Sequence, residues 1–163
     1  MLPTLRSARP TPDLKALATL TIQYMQLGLQ ILSSFDNHEG FSGVILGEPN
    51  GAWPLEFTCM VGHQSKSTDA SDRNDSETST RPPSEDNLLV LYLDDDSWTR
   101  MVGDLRGRIS PAATSLPDWL RVHVINTPWR EVKALNPWWN RYGATFQDCD
   151  GWHVVLNRGV WPK

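Results

Sequence analysis

The chain has 163 residues, 39% of them hydrophobic, and a formal net charge of −4; this is enough apolar mass for one domain, or for two half-domains sharing a core. The acidic balance and the lack of any basic run give no electrostatic reason to hold nucleic acid or an anionic membrane surface. The N-terminus "MLPTLRSARPTPD" lacks the apolar core of a signal peptide, and no apolar run approaches the roughly 18 residues of a membrane span. A cytoplasmic protein with neither partner is therefore expected. Cys59 and Cys149 are too few and too far apart for a disulfide framework or a Cys-rich zinc site and read as reduced thiols. Eight tryptophans are more than so short a chain needs for its core.

In chain order, "TLRSAR" has the length of one strand. Thr11, Pro12 and Asp13 then read as an N-cap, a first-turn proline and an acid at the positive end of a helix dipole. Leu14, Leu17, Ala18, Thr21, Tyr24 and Met25 recur at helical spacing, and Gly28 is placed to end that helix. "LQILSSF" predicts a second strand, and "GVILGEPNGAWPLEFTCMV" predicts two more around a Pro-Asn-Gly turn. From 64 to 86 almost nothing is apolar, so ordering this stretch has little to offset its entropic cost; it reads as a flexible polar linker. "NLLVLYL" is a buried-type strand. Asp94 to Asp96 read as a helix entry, and Trp98, Met101, Val102 and Leu105 mark one face of the helix that follows. "GRISPAATSLPDW" interrupts the pattern, after which either "LRVHVI" or "WREVKAL" supplies another strand. "NPWWNRYGATFQDCDGWHVVLNRG" closes the chain with a hairpin.

That last hairpin has a counterpart. Gly43, Glu48, Asn50 and Gly51 match Gly143, Asp148, Asp150 and Gly151 in type and spacing, so each half reads strand, helix, strand, strand, strand. The boundaries are a first βαβββ module at 1–63, the linker at 64–86, and a second module at 87–163 with an insertion around 107–128.

A repeated βαβββ module resembles the vicinal oxygen chelate superfamily, which includes glyoxalase I, bleomycin resistance proteins and extradiol dioxygenases. "RSARPTPDL", "FDNHEGFSGVILGEPNGAWPLEFT", "NLLVLYLDD" and "NPWWNRYGATFQDCDGWHVVLNRGVW" are similar to its YycE-type, glyoxalase-like branch. The resemblance implies an α+β fold in which paired βαβββ modules form a curled mixed sheet around a cleft. In metal-using members the first and last strands of each module each offer a His or Glu to an ion. Carried over, those positions are Arg6, Glu56, Asn87 or Leu88, and Val155, a set with one acid and one cation, so no metal and no cofactor is expected. His38, His63, His123 and His153 stand outside these positions.

Alternation in "PLEFT" places Glu56 on the opposite face from Leu55 and Phe57. If that face lines the cleft, Glu56 is a carboxylate among tryptophans that could act as general acid or base, with Arg6 holding it ionised or gripping an anionic substrate; a purely structural Arg–carboxylate pair is the plain alternative. His153, beside Trp152, is a further candidate to give or take a proton, against the simpler reading of a half-exposed strand histidine. Trp53, Trp138 and Trp139 are candidate walls for a flat ligand, with Asn136 and Arg141 orienting it; alternatively Trp138 and Trp139 face opposite ways, one in the core and one at a subunit interface. The expected function is a metal-independent lyase or isomerase acting on a small apolar or aromatic metabolite. The alternatives are a ligand-sequestering binder like the bleomycin resistance relatives and, last, a metal-dependent glyoxalase or dioxygenase. The partner is a small organic ligand, and the cleft closes either within one chain or by module exchange in a homodimer.

Overall fold

The computed structural model describes residues 6–61, 84–85, 87–107 and 113–159. Most of the expected linker and Trp161 lie outside them. The first module runs β1 (Ser7–Pro10), α1 (Leu14–Gln26), β2 (Gln30–His38), β3 (Phe41–Gly47) and β4 (Leu55–Met60). The second runs β5 (Leu88–Leu93), α2 (Asp95–Arg106), β6 (Arg130–Val132), β7 (Gly143–Gln147) and β8 (His153–Arg158). Each module builds its own four-stranded mixed sheet, in the orders β1-β4-β3-β2 and β5-β8-β7-β6. In both, the first strand lies parallel to the last at one edge and the rest is antiparallel. The duplication read from the turns is thus a duplication of topology, in an α+β fold.

The matched glycines have a shared reason. A Cβ on Gly43 would stand 2.9 Å from the Phe57 carbonyl oxygen and 2.5 Å from the Phe35 ring; one on Gly143 would stand 2.7 Å from the Leu156 carbonyl oxygen. Phe57 and Leu156 hold equivalent places on β4 and β8, opposite Val44 and Ala144. Backbone approaches too closely at both sites for any side chain.

Helix α1 starts later than the sequence suggested. Its N-cap is Asp13, whose Oδ1 accepts from the Ala16 N–H at 2.8 Å. Thr11 is unavailable because its own N–H donates to the Thr58 carbonyl at 2.7 Å, continuing the β1–β4 ladder. The far end is as expected. Gly28 takes φ +86°, its N–H donates to the Met25 carbonyl, and the Leu29 N–H reaches the Tyr24 carbonyl, a Schellman motif. Asp94 caps α2 and Asp95 and Asp96 fill its first turn, as read.

The choice between two strand candidates is also resolved. "WREVKAL" supplies β6, paired with β7. "LRVHVI" instead ends the short helix α3 (Asp118–Arg121), opened by Pro117, and Val122 stands 80% exposed in the turn that follows. One element was not expected. Asn136 accepts from the Trp138 N–H and Pro137 takes the first turn of α4 (Pro137–Tyr142), so "NPWWNRY" is a helix rather than a strand edge or loop.

One buried cluster spans both modules, with Leu17, Ala18 and Leu20 of α1, Leu46 and Phe57 of the first sheet, and Phe146, Val154 and Leu156 of the second. Helix α1 is its centre. It packs on β3 and β4 and also against α2 and α3. Thr19 donates to the Ile125 carbonyl, Gln23 Nε2 to the Thr127 carbonyl, and Trp129 Nε1 to the Gln23 carbonyl. No helix among the described residues is long and apolar enough to cross a membrane.

Candidate functional site

The strand parity that sets Ala8 beside Glu56 puts Arg9 beside Phe57, on the face that packs against α1. An arginine there is buried, with 5% of its side chain exposed, and a buried charge needs partners. They come from the β7–β8 turn of the other module. Arg9 Nη1 lies 2.7 Å from Asp148 Oδ2 and donates to the Tyr24 hydroxyl at 3.1 Å; Nη2 stands 3.5 Å from Asp150 Oδ2. Tyr24 in turn donates to Asp148 Oδ2 at 3.1 Å. The turn is made rigid by its own acid, since Asp148 Oδ1 accepts from the N–H groups of Asp150 and Trp152, both at 3.0 Å. The Cys149 N–H reaches Gln23 Oε1 on α1 at 3.0 Å. The guanidinium lies 4.5 Å from the Trp152 ring centre and 5.0 Å from that of Phe57.

Burial alone would discourage the charge on Arg9, but Tyr24, Asp148 and Asp150 hold its pKa above the usual guanidinium value. Burial, reinforced by Asp148, pushes the Tyr24 phenol far above its ordinary range, so it stays a neutral hydroxyl. Burial likewise raises Asp150, against the opposing pull of Arg9. Both cysteines are free, and burial pushes Cys59 up to about 11 and Cys149 higher still, so neither offers a thiolate at neutral pH.

Beside this junction lies a cavity of about 270 Å³. From the first module come Ser7, Ala8 and Arg9 of β1, Tyr24, Trp53 and Leu55; from the second come Asn87, Leu88, Leu89 and Trp152. Two indoles and four aliphatic side chains share its walls with four polar residues, Ser7, Arg9, Tyr24 and Asn87, a mix that suits a small-molecule site.

The candidates from the sequence divide into three places. Trp53 lines the cavity. Arg6 and Glu56 form an ion pair, Nη1 to Oε2 at 2.9 Å, but Arg6 directly precedes β1 and Glu56 lies on the neighbouring strand β4 of the same sheet rather than across a cleft; Glu56 is 13% exposed and Arg6 54%. Glu56 neighbours the cavity through Ala8, its register partner on β1. Asn136 caps α4 and Trp138, Trp139 and Arg141 belong to it; the helix packs on β7 and β8, and none of the four residues lines the cavity. Trp138 is 54% exposed and lies 4.4 Å from Tyr142, ring centre to ring centre; Trp139 is half-buried. His153 is buried rather than half-exposed. Its Nε2 faces Gln147 Nε2 at 3.3 Å, and its Nδ1 has no partner.

The positions at which relatives hold an ion do not suit one here. Glu56 and Val155 occupy equivalent places, opposite Ile45 and Thr145, so the correspondence itself holds. Leu88 and Val155 have no donor atom, Asn87 offers only a neutral amide, and the one carboxylate is already held by the Arg6 cation. Among the described residues no three His, Cys, Asp or Glu side chains come together as a metal site.

Arg9, Tyr24, Asp148, Asp150 and Trp152 were not read as one cluster from the sequence. One signal pointed to it: the turn at 148–151 carries two acids where the first module's turn, at 48–51, carries one.

Comparison with known proteins follows the same outline. The family models described as the YycE-like N-terminal and YycE-like C-terminal domains match residues 5–58 and 121–158. The chain is 29% identical over 164 residues to the uncharacterized protein YycE of Bacillus subtilis strain 168, covering 98% of this chain and 91% of that one. The crystal structure of a Bacillus subtilis YycE protein superposes with a TM-score of 0.63 at 24% identity, over 98% of this chain and 93% of that chain. Glyoxalase I of Leishmania major superposes at 0.54 with 16% identity, covering 97% and 87% of the two chains. The antibiotic-binding protein TnmS3 of Streptomyces sp. CB03234 also superposes at 0.54, with 14% identity over 98% of both. At such identities the superpositions speak for a shared glyoxalase-like fold and no more. Both halves of the chain match their own family model in the expected order, together over more than half its length, and the chain belongs to the YycE-like family.

Proposed function

We propose that this chain binds a small, planar, largely apolar or aromatic molecule in the cavity between its modules, and that binding is its primary task. The observation that carries this reading is the pair of indoles, Trp53 from the first module and Trp152 from the second, on the walls of one cavity of about 270 Å³. The polar groups nearest to it are engaged or neutral. Arg9 is held by two acids, Tyr24 is a phenol hydrogen-bonded to Asp148, and Ser7 and Asn87 are neutral. Such walls recognise shape and a flat π-face better than they move protons. The fold likeness to an antibiotic-binding protein is consistent with this, without identifying the ligand.

The experiment is a titration of naphthalene- and indole-sized compounds against tryptophan emission. Saturable quenching by planar aromatics, weakened in Trp152→Leu, is the expected result. No quenching by any planar compound would end the proposal.

A lyase or isomerase remains the second reading, favoured by the position of Glu56, largely buried and one strand from the cavity through Ala8. It predicts that Glu56→Gln keeps ligand affinity and loses turnover of any substrate found. Unchanged turnover would remove Glu56 from the chemistry.

A further inference from the structure

Among the described residues, exposed apolar side chains gather in two places. Scattered ones need no explanation, but gathered ones mark a surface that something covers. The first place is the face of the first sheet turned away from α1. Phe41 of β3 and Met60 of β4 are register partners there, each 43% exposed. Farther along the same side of β3, Gly43 and Gly47 carry no side chain, and β2 fills both gaps. The Phe35 ring lies over Gly43; Leu32, 41% exposed, lies over Gly47, with its Cδ1 2.9 Å from where a Cβ would stand. With half-buried Ile45 between them, these residues make a flat apolar strip along the sheet.

The second place is α4. Leu135 just before its cap, then Trp138 and Tyr142, recur at helical spacing and are 60%, 54% and 41% exposed. Asn140 holds this ridge in place, since its side chain accepts from the Ala134 N–H at 2.9 Å and donates to the Ala134 carbonyl at 2.8 Å. The inner side of α4 is already used. A Cβ on Gly143 would stand 3.2 Å from the Trp139 carbonyl oxygen, so the helix backbone lies against the second sheet where Phe35 lies against the first. On that face Thr145 and Asn157 are buried, whereas their counterparts Ile45 and Thr58 are only half-buried.

The two places complement each other in shape and in charge. One is a flat strip and the other a narrow aromatic ridge, the kind of surfaces through which a sheet and a helix bury their apolar sides. The strip ends at the β2–β3 turn with Glu39, exposed and held at φ +51°; the ridge carries Arg141, exposed and one turn along from Trp138. Neither forms an ion pair among the described residues. Because α4 is fastened to the second sheet of its own chain, its ridge is presented outward.

We propose that the strip receives α4 of a second copy of this chain, and that a two-fold axis repeats the contact, so that each copy gives a ridge and takes one. Glu39 of one copy then meets Arg141 of the other. Made twice, the contact buries on the order of 1,200 Å², the lower end of what a stable dimer needs.

Sedimentation equilibrium of the full chain across the micromolar range should return a dimer. Trp138→Ser and Phe41→Ser alter exposed side chains, so both should keep the wild-type circular dichroism, and each should weaken dimerisation about tenfold or more. Glu39→Arg and Arg141→Glu should each weaken it about threefold, and the two together in one chain should restore it. Geometry is read separately by mixing Met60→Cys with Tyr142→Cys under mild oxidation: a covalent dimer should form in the mixture and with neither variant alone. A monomer at every concentration would overturn the proposal, and so would a dimer that tolerates both Trp138→Ser and Phe41→Ser. Growth into larger assemblies would overturn the two-fold arrangement. A double charge variant weaker than either single one would overturn the Glu39–Arg141 pairing, and covalent dimers of one variant alone would put the contact elsewhere.

Discussion

The two modules share one topology and differ in what they do with it. Helix α1 has eight buried residues and carries one charge, Lys15, because both its own sheet and the second module pack around it. Helix α2 buries Val102 and Leu105 and carries five charged residues. The turns diverge in the same way. Glu48 is exposed in the first hairpin, whereas its counterpart Asp148 is buried, caps its own turn and holds Arg9. Position 50 is an asparagine and position 150 an aspartate. A duplicated hairpin has been kept as an ordinary connection on one side and converted on the other into a plug that fastens the modules and exposes Trp152 to the cavity. Symmetry of the backbone therefore did not require symmetry of the site.

The sharpest way to break this comparison is to remove the two counterparts in turn. Asp148→Ala leaves Arg9 buried without its nearest partner and should cost about 3–5 kcal/mol in chemical denaturation, while Glu48→Ala should stay within about 0.5 kcal/mol. Equal losses would mean that the two turns are equivalent after all. The matched glycines make the opposite test, because there the modules should agree. Gly43→Ala and Gly143→Ala each force a Cβ to within 3 Å of a carbonyl oxygen and should each cost about 1–3 kcal/mol.

A subtler change writes the first module's residue into the second. In Asp150 burial raises the folded-state pKa above the ordinary 3.8, so the folded chain binds that proton more tightly than the unfolded chain. The stability this contributes is present below pH 3.8 and is lost as pH rises through the raised value. Asp150→Asn cannot lose the proton, so its stability relative to wild type should improve from pH 4 upward, measured by thermal unfolding across pH. A constant difference would show that the carboxyl does not titrate in that window. The smallest effect is expected within the second module alone. Arg106 and Glu131 pair at the surface, where Glu131 is held below its usual range by the hydrogen bond from Arg106. Glu131→Gln should cost at most about 1 kcal/mol, vanishing in high salt.

The fold was largely legible because its signals are local. Glycines and acids at equal spacing marked the hairpins, and alternation in "PLEFT" and the apolar run of "NLLVLYL" placed strands correctly. The misplacements have local causes too. Thr11 was drawn into a ladder bond with Thr58, and Asn136–Pro137 started a helix in a stretch read as part of the closing hairpin. The site was legible only in part. Trp53 lines the cavity and Arg6 does meet Glu56, but the Arg9 cluster joins residues far apart in the chain, Arg9 and Asp150 being separated by 141 positions. A turn acid that caps its own hairpin and a turn acid that reaches across to a buried arginine have the same sequence signature, and only packing distinguishes them.

The central claim is that the space between Trp53 and Trp152 receives the ligand. Crystals of the chain soaked with 6-bromo-2-acetylnaphthalene, measured at the bromine edge, test it most directly. One strong anomalous peak beside Trp53, Leu88 and Trp152 is expected. A peak confined to the exposed Trp138–Tyr142 face of α4, with the cavity left empty, would contradict it.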